Sequence, residues 1–160
     1  MRVLTGTRHG DAANELLGFY RDKAQELEEA GQYFMAAIAL AFALETAVLA
    51  YLLVEFGEDN GGELTIPDSV NMSELIEAAN EIDVLNAPIN VPSQLGDDED
   101  ATPPKHVAKD VAHKIRKFRN LIHPARALTQ GYDPRTFTRE QLGELQEMYR
   151  SVLHSLLYHL

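Results

Sequence analysis

The feature that most constrains this chain is a run of twenty-two residues, Tyr33 to Val54, in which Glu45 is the only charged side chain. The run is long enough to span a bilayer. A membrane span is not expected, because Glu45 sits in its middle, the flanks are Gln32 and Glu55, and no basic residue anchors either end. A helix apolar on nearly every side is instead the buried centre of a bundle. Seven alanines (36, 37, 39, 41, 43, 47 and 50) leave room for neighbouring helices to approach closely. A buried Glu45 must be protonated, hydrogen-bonded or paired. Arg116 or Arg119 is the natural partner.

The flanking segments carry helical periodicity. Leu16, Leu17, Tyr20, Ala24 and Leu27 recur on one face of a helix expected from about Asp11, as N-cap, to Gly31. After a loop over 57–69, in which Glu63 to Ile66 can extend, Asn71-Met72-Ser73-Glu74 has capping-box spacing and opens a short third helix with Leu75, Ile76, Ala79, Ile82 and Leu85 facing inward. Residues 87–104 form an irregular connection with four prolines and the acidic run Asp97-Asp98-Glu99-Asp100, which lacks calcium-loop spacing. Thr102-Pro103 is expected to start a fourth helix that ends near His123, before Pro124. Its apolar face is Ala108, Val111, Ile115, Phe118 and Ile122. A loop follows over 125–137. Thr138-Arg139-Glu140-Gln141 then caps a last helix with a stripe of Leu142, Leu145, Met148, Tyr149, Val152, Leu156 and Leu160. The expectation is one all-α domain over 1–160, a bundle of about five helices with the second at its centre.

Composition narrows the chemistry. The absence of cysteine removes disulfides, zinc–thiolate sites and thiol nucleophiles. No cofactor motif is present: no phosphate-binding glycine loop, no dinucleotide fingerprint and no nucleophile elbow. His106, Asp110 and His113 have helical spacing for a metal but lie opposite the apolar stripe, so a solvated surface is the expectation and no metal is assigned. Met1 to Gly10 hold no apolar run, which argues against a secretory signal and for a cytoplasmic protein.

Charge is unevenly spread. The net charge is −11, with no Lys or Arg from Ala24 to Pro104. From Lys105 to Arg126 seven basic residues face a single acid, Asp110. Such a stripe is either a local anion site or a partner for the protein's own carboxylates. Within it, Lys105, Lys109, Arg116, Arg119 and His123 share a helical stripe, with Asn120 beside it. Two guanidiniums can clamp a phosphate, and a histidine can move a proton near neutral pH. Together they can cleave RNA without a metal. In the structural alternative, Arg116 or Arg119 pairs Glu45, Asn120 bonds loop backbone, and His123 caps its helix.

A buried alanine-rich helix with one Glu, followed by a helix ending in Arg119-Asn120-x-x-His123-Pro124, resembles the HEPN superfamily over about residues 32–159. The resemblance implies a small helical bundle from a prokaryotic toxin–antitoxin or defence system. It also implies a homodimer that brings two Arg/His motifs into one cleft, with RNA or a cognate antitoxin as partner. Catalytic members place four to six residues between Arg and His, with a polar residue after the Arg. Here Arg119 has Asn120 after it but only three residues between it and His123, while Arg116 has six but is followed by Lys117. That spacing favours a non-catalytic RNA- or protein-binding or dimerisation module. The alternative is a metal-independent RNase using Arg119, Arg116, His123 and Asn120. Lys105, Lys109, Arg126 and Glu45 are the candidate supporting residues in either case.

Overall fold

The computed structural model describes residues 2–59, 63–67, 69–86, 88–89 and 106–158. The protein is all-α. Among these residues there are six helices and two short antiparallel ribbons. The helices are α1 (Gly6–Glu29), α2 (Tyr33–Asp59), α3 (Met72–Glu81), α4 (Ala108–Arg119), α5 (Pro124–Thr129) and α6 (Arg139–Tyr158). Strand β1 (Arg2–Thr5) pairs with β2 (Glu63–Ile66), and β3 (Pro88–Ile89) with β4 (His106–Val107).

Helix α2 is the centre expected of it. Ala37, Ala41, Ala43, Leu44 and Val48 have no exposed surface. Helices α1, α3, α4 and α6 all pack on α2. Its apolar run is long enough to cross a membrane, yet 72% of the most apolar window is buried inside the bundle. The alanines bring neighbouring backbones close, and the large side chains between them supply the driving force. Each fully buried Leu or Val, such as Leu44 or Val48, contributes about 1.5–3 kcal/mol.

The joints explain how the helices turn. Gly31, at φ 73°, ends α1: its N–H donates to Glu28 O and the N–H of Gln32 to Leu27 O. This left-handed C-terminal motif reverses the chain into α2. At α3 the capping box forms in full. Asn71 Oδ1 accepts from the N–H groups of Ser73 and Glu74, and Asn71 N–H donates to Glu74 Oε2 at 2.8 Å. Thr138 and Gln141 exchange the same pair of bonds ahead of α6. The buried hydroxyl of Ser155 on α6 donates to Val84 O at 2.8 Å and ties the last helix to the turn after α3.

Several boundaries differ from expectation: α2 runs on to Asp59, inside the expected loop over 57–69, and α4 ends at Arg119, before His123. Helix α1 begins at Gly6, so Asp11 is an exposed residue inside it and not its cap; β1, held by β2, delivers the chain into the helix five residues early. The fourth helix begins at Ala108, directly after β4, and not at Thr102. Thr102 itself, Lys105 and the acidic run Asp97 to Asp100 lie outside the described residues. Finally, Pro124 starts a helix as well as ending one. Its missing N–H costs nothing at a first helical position, so 125–137 holds α5 and a 3-10 turn over Pro134–Thr136 where a plain loop was expected.

Candidate functional site

The basic segment is built on α4 and the turn that follows it. Lys109, Arg116, Arg119, Asn120, His123 and Arg126 were expected to act together, but the structure sorts them into three groups.

Arg119, the last residue of α4, faces the bundle. Its Nη2 lies 3.2 Å from Glu45 Oε2 on α2, and its guanidinium sits over the Phe42 ring at 5.2 Å from the centroid. The two side chains are 18% and 26% exposed. The contact is one of charge, not a hydrogen bond: neither Glu45 Oε2 nor Arg119 Nε has a hydrogen-bond partner among the described residues. Burial raises the Glu45 carboxyl above its ordinary range, and Arg119 pulls it only part of the way back. Phe42 escaped the sequence reading. Its signal was its position, three residues before Glu45 on the same helix face.

Arg116 belongs to a second group that joins α4 to α3. Its Nε donates to His113 Nδ1 at 3.3 Å, His113 Nε2 contacts Glu77 Oε1 at 2.9 Å, and Lys109 Nζ pairs with Glu77 Oε2 at 2.7 Å. With Nδ1 accepting from Arg116, Nε2 is the ring nitrogen that donates to the Glu77 carboxylate. Lys109 first, then His113, hold Glu77 below its ordinary carboxyl range. His113 thus bonds across to α3 instead of joining Asp110 at a metal site. No cluster of three metal-ligating side chains occurs among the described residues.

Asn120, His123 and Arg126 form the third group, along a shallow surface groove completed by Thr129. Here the helical stripe fails for a physical reason. After Arg119 the chain tightens into a 3-10 turn over Asn120–Ile122, and His123 is extended at φ −79° and ψ 117°. The i, i+4 relation between Arg119 and His123 therefore does not hold. Leu121, not Ile122, faces the core. His123 is exposed, and its ring has no partner among the described residues. Asn120 contributes its backbone N–H to Arg116 O.

The site thus offers an exposed imidazole beside an amide and the Arg126 guanidinium, which has no partner among the described residues, with both motif arginines engaged elsewhere. Compared with known proteins, the chain matches no family model, no curated protein and no solved structure.

Proposed function

We propose that this chain is a non-catalytic, HEPN-like interaction module that dimerises and docks a protein partner through the surface around α4 and α5. One observation carries the choice. Arg119, the motif arginine, is held against Glu45 and Phe42 in the bundle and is not free beside His123. An arginine that balances a buried carboxylate cannot also clamp a phosphate without stranding that carboxylate. The surface nearby has the character of a contact face, with Leu128 80% exposed and Ile122 also outside the core. The resemblance puts such a module in a defence or toxin–antitoxin setting, with a cognate antitoxin as the protein partner.

The test is cleavage of a mixed RNA pool by the purified protein in EDTA, beside His123→Ala. The module reading expects intact RNA in both samples and a solution mass twice the 17.8 kDa of the chain. Cleavage by the wild type alone would replace it with a metal-independent RNase. That second reading draws on the exposed His123 and its groove with Asn120 and Arg126. In it His123 takes the 2′-hydroxyl proton while Arg126 holds the phosphate.

A further inference from the structure

A second site lies on the other side of the bundle. Helices α1 and α6 both pack on α2 and leave a cleft between them of about 770 Å³, with Leu40 of α2 in its lining. That volume suits a small molecule.

The charges in the cleft are not balanced among themselves. Arg21 of α1 and Arg139 and Arg150 of α6 line it, all exposed, and none is drawn into an ion pair or hydrogen bond among the described residues. The two carboxylates of the lining are already engaged by amides. Glu28 Oε2 accepts from Gln146 Nε2 at 2.7 Å across the cleft, and Glu29 Oε1 accepts from Gln25 Nε2 at 3.0 Å. The cleft is locally cationic on a protein whose net charge is −11.

One end is more specific. Tyr149 lines the cleft and is only 5% exposed, and its hydroxyl is buried with no hydrogen-bond partner among the described residues. A buried hydroxyl left so costs about 1–3 kcal/mol and calls for a partner. Burial raises this hydroxyl above the ordinary tyrosine range and Arg21 draws it only part of the way back, so it remains a protonated donor. Arg150 is the next residue along α6. Arg139 stands ten residues before Tyr149, about 15 Å along the axis, at the opposite end.

We propose that the cleft binds a small organic phosphomonoester, its phosphoryl group held by Arg21, Arg150 and the Tyr149 hydroxyl and its apolar body lying on Leu40 and Leu153. The donor set selects phosphate over carboxylate. Two guanidinium forks and a hydroxyl match three terminal oxygens, whereas a carboxylate has two and is satisfied by one fork. Leu40, Leu153 and the Tyr33 ring offer the surface that a flat organic body needs.

Isothermal titration of the full chain at fixed ionic strength tests this with adenosine monophosphate, inorganic phosphate and adenosine as probes. Adenosine monophosphate should bind more tightly than either fragment. Arg21→Ala with Arg150→Ala should weaken it by about a hundredfold, and Tyr149→Phe by about tenfold while the fold keeps or gains stability. Arg135→Ala, which removes a cation that is outside the cleft lining and paired with Asp133, should leave binding unchanged. The proposal is overturned if no probe binds at millimolar concentration, if adenosine binds as tightly as its phosphate, or if the double variant binds like the wild type.

Discussion

Arg119 at the end of α4 and Glu45 in the middle of α2 are in charge contact at 3.2 Å, and Phe42 closes the guanidinium from below. The pair explains why an otherwise apolar helix tolerates one acid. It also sets a penalty for losing the base. Arg119→Ala leaves a desolvated carboxylate with no counter-charge, and should lower stability by about 2 kcal/mol at neutral pH. Glu45 is raised in the folded state, and losing Arg119 raises it further. A raised carboxyl adds stability below its unfolded value and loses it as pH rises through the folded value. The deficit of Arg119→Ala should therefore shrink as pH falls toward the ordinary carboxyl range. Urea denaturation at neutral and mildly acidic pH measures it, and a deficit that does not change with pH would remove Glu45 as the cause.

The α3 cap is a local device with a local cost. Asn71→Ala removes the side-chain acceptor for two N–H groups and leaves in place the backbone N–H that donates to Glu74 Oε2. The expected loss is about 1 kcal/mol. Asn71→Ser, which keeps an acceptor, should recover most of it. Equal losses in the two variants would show that the cap bond is not the source.

The central helix, both capping boxes and a basic partner for Glu45 were legible in the sequence because each depends on residues close together or on a single long period. Tyr33 to Val54 fits only a buried helix, and Asn71 and Thr138 announce helix starts within four residues. What was not legible depends on tertiary placement. The pairing of β1 with β2 joins segments about sixty residues apart through backbone alone. The 3-10 turn at Asn120 displaces His123 from the stripe, and nothing in the spacing announces it. Arg21 and Tyr149 read as ordinary helix residues, because their cleft exists only once α1 and α6 are both laid on α2.

Glu77 makes the opposite pH statement from Glu45. Lys109 and His113 lower it in the folded protein. A lowered carboxyl contributes stability above its unfolded value and loses it as pH falls through the folded value. Glu77→Gln should therefore cost a little stability at neutral pH, and the difference from wild type should vanish in acid below the ordinary carboxyl range. Because the group is at the surface, the effect should also fade in high salt. A difference that persists in acid and salt would assign the loss to packing.

His123 separates the two readings of the α4–α5 surface through stability rather than activity. Its ring is exposed and without a partner among the described residues, so His123→Ala should change folding stability by no more than about 0.5 kcal/mol. Arg119→Ala, by contrast, should be strongly destabilising. A surface kept for docking then predicts that His123→Ala weakens dimerisation or partner binding at unchanged stability, visible as a shift in the concentration dependence of the solution mass. If the variant is as dimeric as the wild type but loses RNA cleavage, the same exposed ring is a proton-transfer group, and the arginine that serves it is Arg126 and not the one bound to Glu45.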